Sequence, residues 1–427
     1  MPVTMDISRE IVETILKGKT VNGVIEKLKI RPVDESPLPP RIPRDAGWDK
    51  VGQQQRLAVL ANQGIIFQFL NGHKTIDDPS IFQGNIENYI GLAQIPVGVV
   101  GPLRINGLHA NGDFYVPFAT TEGALVAAHN RGARVISSSG GARVMCLTER
   151  VSRAPGFQFS NLIEAGKFLL WFTQQYESFK KVAEKTTHHG KLVDIRTTLT
   201  GNCVYLNFDY TTGDASGQNM VTIATEAICR YILDNSPVKP QHWYIESNMS
   251  GDKKATAMSY LFVRGKKVTA EVVIPKELCK KVLHADPEHM MEYAKMSVVG
   301  ALQTGSIGAQ GHYANGLAAI FMACGQDVAC VSEASVGITR VDVTKNGDLY
   351  MSVSLPNLIV GTVGGGTRLP TQQECLRMIG CYGQGTARKF AEICTALVLA
   401  GEISIMAALA VGEFTQAHQK FGRKQNN

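Results

Sequence analysis

Residues 393–412 read ICTALVLAGEISIMAALAVG, an apolar run long enough to cross a lipid bilayer as one helix. Glu402 stands at its middle. An acid at the bilayer centre costs about 2.5–3.5 kcal/mol on insertion scales, and the small Ala and Gly residues around it suit close helix packing. The run therefore predicts a buried helix or helix pair, and the rest of the chain must supply a core large enough to enclose it. With 427 residues, 44% hydrophobic and 19% charged, the chain can do so, and its length predicts two or three domains.

The remaining composition narrows the class. A net charge of +6 is modest, and no basic run is interleaved with aromatics, so nucleic-acid binding is not expected. Nine scattered cysteines fit no common zinc spacing and read as reduced thiols of a cytoplasmic protein. The start, MPVTMDISREIVETILKGKT, is polar and amphipathic rather than a signal peptide, and no membrane association is expected.

Three regions emerge along the chain. Residues 1–86 form a helical N-terminal region. Ile11, Val12, Ile15 and Leu16 share a helical face with Ser8 as N-cap, a second helix carries Val21 to Leu28, and a third runs from about Val51 to Leu70. Residues 154–248 carry a strand at APGFQFS, one long helix over 161–185, and strands KLVDIRTTLT and CVYLNFDYTT joined at Gly201-Asn202. A helix over 217–235 and a strand at HWYIES complete the region. That order, β-α-β-β-α-β, is the ferredoxin-like split unit, set into a larger domain of residues 87–153 and 249–427. The larger domain is expected to hold a hairpin turning near Arg264–Lys266 and a strand pair in RVDVTKNGDLYMSVSLP. The fold class is α+β.

Several short motifs carry chemistry. SGDKKATAM places Asp252, Lys253 and Lys254 among small residues. ATTEG sets Glu122 before an Ala-rich helix, where a capping box is the alternative reading. ACGQDVA puts Asp327 in an apolar run, which predicts a buried acid with partners. His418 lies near the polar tail, where a surface histidine is the alternative. TGDASGQNM ends a strand and opens a helix, an anion site unless Asp214 or Ser216 merely caps it. GTVGGGT is glycine-dense, which suits either a ligand or a tight loop. No GxGxxG follows a strand, so an ordinary Rossmann site has no support. Glutamate, lysine, aspartate and histidine together suit reduction of an activated carbonyl: an ammonium for the oxyanion, a protonated acid as donor, and a histidine for the leaving group.

From Glu87 to the C-terminus the sequence resembles the 3-hydroxy-3-methylglutaryl-coenzyme A (HMG-CoA) reductases. ENYIGLAQIPVGVVGPL, ATTEGALVA, GDASGQNM, DKKA, GSIGAQGHYAN, ACGQD, GTVGGGT and AGEISIMAALAVG occur in the family's order. The likeness is to the class I branch without its membrane anchor. It implies that Glu122 donates a proton, Lys253 stabilises the oxyanion, Asp327 links the two, and His418 protonates the departing thiolate. Arg153, Asp252, Lys254, Lys295, His312 and Asn315 are implied around the acyl group, and Asn130, Arg131 and Arg134 near the coenzyme A phosphates. Two NADPH are implied per turnover, held by the inserted domain at Thr187, His188, Asp214, Ser216, Gly217, Gln218 and Asn219, with Thr362, Gly364, Gly365 and Arg423. A homo-oligomer, a dimer or a dimer of dimers with active sites between subunits, is implied as well.

Two departures stand out. His188 replaces an arginine that contacts the NADPH 2′-phosphate in the family, so NADH is a possible donor. Glu246 replaces a substrate-binding serine and is expected to point away from the substrate. Mevalonate oxidation and reduction of a related acyl-CoA are the alternative activities.

Overall fold

Side-chain burial explains the order of elements in the computed structural model, which describes residues 5–44, 46–187 and 189–415. Two amphipathic helices, α1 (Met5–Leu16) and α2 (Val21–Leu28), open the chain. Ser8 lies inside α1 rather than capping it, whereas Thr20 caps α2 by accepting from Gly23 N. Helix α3 (Lys50–Ala61) is capped by Asp49 and stops well short of Leu70, because the chain turns left-handed at Gly64.

There follow β1 (Val97–Gly107), β2 (Asn111–Ala119), α4 (Leu125–Ser138), β3 (Ala142–Arg153), β4 (Gly156–Gln158), α5 (Leu162–Phe172) and α6 (Tyr176–Glu184). The long helix expected over 161–185 is thus two. Gln174 N and Gln175 N bond three residues back, to Trp171 O and Phe172 O. Tertiary bonds hold the break: the Tyr231 hydroxyl donates to Gln175 Oε1 and the Tyr176 hydroxyl to Val193 O. Next come β5 (Lys191–Thr200), β6 (Cys203–Thr211), α7 (Gln218–Asn235) and β7 (His242–Tyr244).

The second half contains β8 (Gly265–Ile274), α8 (Lys276–Leu278), α9 (Pro287–Gln303), α10 (Tyr313–Ala323), α11 (Val331–Ala334), β9 (Ile338–Val343), β10 (Leu349–Leu358), α12 (Pro370–Met378) and α13 (Ala387–Ala410). No hairpin forms near Arg264–Lys266. Gly265 opens a single central strand instead, and a Cβ there would meet the Leu358 backbone at 2.7 Å. The close approach to β10, not a turn, requires the glycine. The strand pair of β9 and β10 is antiparallel as expected.

The strands run in the order β7-β4-β6-β3-β8-β10-β9, with β1 beside β3, β2 beside β1 and β5 beside β6. Among the described residues all pairings between two of these strands are antiparallel except that of β1 with β3. Strand β3 joins two parts: Arg143 to Arg150 pair with β8, and Val151 to Arg153 pair with β6. Beyond that junction β7, β4, β6 and β5 lie side by side over their own aromatic core, which includes Phe157, Phe159, Phe168, Phe172, Phe179 and Phe208. The larger core surrounds α13.

Among the described residues α13 is long and apolar enough to cross a membrane, yet 83% of its apolar window is buried inside the molecule. Its two acids are satisfied there by protein donors. Glu402 accepts from Gly311 N, His312 N and the Thr339 hydroxyl, and Glu392 from His109 N, Ala110 N and Cys146 N. Such pairing is what a buried carboxylate requires.

Candidate active site

Lys253 sits on the loop between β7 and β8 with a left-handed backbone, φ +54°, two residues after Gly251 at φ +73°. Its ammonium meets Asp327 Oδ2 at 2.8 Å. The other oxygen of Asp327 accepts from Ala329 N at 3.0 Å, capping a short turn and fixing the carboxylate. That hydrogen bond from Lys253 to Asp327 holds the ammonium pKa above the ordinary lysine value, against partial burial. The lysine therefore stays charged at neutral pH, as an oxyanion stabiliser must. Asp327 itself is not the buried acid its apolar surroundings predict, since its side chain is 40% exposed.

Asp252 lies between two guanidinium groups, with Oδ1 at 2.8 Å from Arg264 and Oδ2 at 3.1 Å from Arg153. Burial opposes its ionisation, but Arg264 and Arg153 outweigh that and keep the carboxyl below the usual range. Lys254 folds back to donate to Asp252 O. Glu246 does not point away: Oε2 lies 3.2 Å from Arg153 and also accepts from the Ser250 hydroxyl, while Oε1 accepts from Asn248 N. Its four-atom reach ends on the very arginine implied for the acyl group.

Glu122 is exposed, ahead of α4, and Asn315 donates to it at 3.5 Å. It makes no capping box, because Ala124 in the left-handed region is the N-cap of α4 and no side chain caps it. His312, N-cap of α10, bonds Gly401 O through Nε2, while its Nδ1 is buried without a partner. It stands edge-on to His129 at 5.6 Å, and burial together with His312 pushes His129 down to about 3.

The implied coenzyme A residues are drawn into structure. Asn130 straps β1 through Gly101 N and Val99 O, and Arg131 bonds Ser404. Arg134 lies close enough to Arg41 to disfavour its charge, second to burial. Lys295 stays on α9, paired with Glu292 at 2.7 Å.

The motif segments implied for the cofactor converge. Helix α7 starts at Gly217 in the left-handed region with no side-chain cap, so its first amides keep their anion-binding capacity. Neither Asp214 nor Ser216 caps it. Asp214 instead accepts from Gly385 N and Ala387 N, fixing the start of α13. Gln218 and Asn219 open α7, and the Thr187 hydroxyl reaches Met220 in the same turn. Thr362 N donates to Asp214 O, and a Cβ on Gly361 would sit 2.4 Å from Ser216 N. Gly364 and Gly365 have open space where a side chain would be. An uncapped helix end beside a glycine cradle fits a phosphate-bearing group. His188, His418 and Arg423 lie outside the described residues.

Comparison with known proteins decides the family. The profile of hydroxymethylglutaryl-coenzyme A reductase matches residues 52–423. The chain belongs to the HMG-CoA reductase family. The HMG-CoA reductase of Pyrococcus abyssi is 44% identical over 86% of this chain and 92% of its own, and that of Methanocaldococcus jannaschii 45% over 84% and 90%. A solved class II HMG-CoA reductase from Streptococcus pneumoniae, bound to NADPH in open conformations, shares the fold with a TM-score of 0.68 at 18% identity. It covers 83% of this chain and 96% of its own.

Sequence reasoning missed two residues of this candidate site. Arg264, read as part of a turn, is buried and bonds Asp252, Gln218 and Glu333. Glu333 is fully buried and accepts from Lys253 N. A glutamate inside the otherwise small and apolar run CVSEASVG was the available signal.

Proposed function

We propose that the protein reduces HMG-CoA to mevalonate and coenzyme A in a four-electron reaction that draws on two NADPH in turn. The observation that carries this is the Lys253–Asp327 pair at 2.8 Å, an ammonium held charged next along the chain to Asp252, the partner of Arg153. We read residues 154–248 as an inserted ferredoxin-like domain that holds the cofactor, residues 87–153 and 249–427 as the substrate domain, and residues 1–86 as a helical N-terminal region. The strand order β7-β4-β6-β5, with helices between β4 and β5 and between β6 and β7, supports the first.

The amides opening α7, with Thr187, Thr362, Gly364 and Gly365, would hold the cofactor phosphates. A nicotinamide held there would supply hydride for the acyl carbon. Lys253 stabilises the oxyanion at each reduction, and Asp327 keeps its ammonium charged and aimed. Glu122 gives a proton to the carbonyl oxygen at the aldehyde stage, with Asn315 orienting it. His418 protonates the departing thiolate. Arg153, Asp252 and Lys254 orient the acyl carboxylate, with Lys295 and His312 at its margin, and Asn130, Arg131 and Arg134 back the coenzyme A end. The burial of α13 supports a reductase that works off the membrane; we read it as a homo-oligomer of the cytoplasm.

The test is an absorbance assay with purified protein, HMG-CoA and either NADPH or NADH, with free thiol titrated. About two NADPH consumed per thiol released is expected, and His188→Arg should widen the preference for NADPH over NADH. Thiol release without two oxidation equivalents would refute the four-electron reading.

A further inference from the structure

Resting on the reading of Lys253 as the oxyanion stabiliser, we propose that Glu333 is a positioning residue that acts on that lysine through its backbone. One short segment grips Lys253 at both ends. Asp327 takes the ammonium at 2.8 Å, and Glu333, on the α11 turn that follows, accepts from the Lys253 backbone N–H at 3.2 Å. Lysine seldom adopts the left-handed backbone it has here, φ +54°, and such a conformation persists only where the surroundings impose it. The Glu333 acceptor imposes it.

Glu333 is in turn fixed by Arg264, whose NH1 lies 2.6 Å from both carboxylate oxygens. Both residues are buried, Glu333 at 0% and Arg264 at 2% exposure. Burial pushes the Glu333 carboxyl up, and Arg264 is the main opposing influence that favours the ionised acceptor. NH2 of Arg264 also reaches Asp252 Oδ1 at 2.8 Å and Gln218 Oε1 at 2.7 Å. The guanidinium thereby ties the Lys253 loop to the first residue of α7. A buried ion pair adds little net stability over an apolar pair of similar volume. Its connections account for it better than stability does: beyond each other, the two side chains reach Lys253 N and Asp252 in the Lys253 loop and Gln218 at the α7 start.

Two variants of the full chain separate positioning from structure. Glu333→Gln keeps an acceptor for Lys253 N but removes the carboxylate facing NH1 of Arg264, leaving that buried guanidinium only Asp252 as a counter-charge, so it should unfold at lower temperature while its folded fraction keeps kcat within about tenfold. The double variant Glu333→Leu/Arg264→Met removes the charges together. It should melt near the wild type, yet lose about 10²-fold in kcat. The Lys253 pKa should also fall in the double variant as the ammonium leaves Asp327. Reductive ¹³C-methylation and NMR would measure this, with the resonance assigned by Lys253→Met. A stable double variant with wild-type kcat and an unmoved Lys253 pKa would overturn the proposal. If the wild type turns over no HMG-CoA, the proposed activity fails by itself, and the Lys253 pKa still decides the role of Glu333.

Discussion

Arg153 shows how one side chain can be both prepared and restrained. Its guanidinium is 3.2 Å from Glu246 and 3.1 Å from Asp252, so two carboxylates already neutralise the cation implied for the acyl carboxylate. Asp252 belongs to the Lys253 motif and orients the arginine. Glu246 adds a second negative charge that an incoming carboxylate must meet. Glu246→Gln keeps an acceptor for Asn248 N while removing that charge, and its amide NH2 can donate to the Ser250 hydroxyl oxygen instead. It should lower KM for HMG-CoA about fivefold at unchanged kcat, the modest size reflecting a partly exposed pair. Initial-rate kinetics at fixed saturating NADPH would check it. A raised KM would mean that Glu246 aims Arg153 rather than competing with the substrate.

At the scale of elements, α13 organises the larger core, and its sequence shows the constraint directly. Helix α4 crosses it where Gly132 faces Ala400: a Cβ on Gly132 would lie 1.8 Å from Ala400 O. Gly132→Ala should therefore force the helices apart and cost about 3 kcal/mol or more, read as a lower thermal midpoint. Glu392 adds a pH dependence. Burial raises its pKa to about 7, although His109, Ala110 and Cys146 donate to it through their backbones. Between the ordinary glutamate value of 4.5 and about 7 the folded state holds a proton that the unfolded chain releases. Stability then falls as pH rises through that window and levels off above it. Glu392→Gln should lower stability by about 1–3 kcal/mol, because its amide confronts N–H donors, and should remove this part of the slope. Urea midpoints at pH 5 and pH 8 for both proteins would show it. An identical decline in the variant would assign the slope to other groups.

The whole molecule shows which features a sequence can and cannot disclose. The β5–β6 hairpin was legible because Gly201-Asn202 and alternating burial are local signals. The buried α13 was legible because Glu402 excludes a lipid setting. The course of β3, which pairs with β8 and then with β6, was not, since both partners lie far along the chain. Nor was the Arg264–Glu333 pair, whose spacing follows no local period.

Surface character carries the last step. Helix α9 buries only Pro287 and Met290, while Met296, Val299 and Leu302 are 72%, 53% and 75% exposed; Ile90 is fully exposed before β1. A helix left apolar on its outer side predicts a second copy of the chain against it. Met296→Glu with Leu302→Glu should convert an oligomer, seen by light scattering after gel filtration, into a monomer of nearly unchanged melting temperature. If Glu122 and Lys253 serve one substrate across that contact, kcat should drop about 10²-fold on dissociation. A fully active monomer would place the complete site within one chain, and a persistent oligomer would move the interface away from α9.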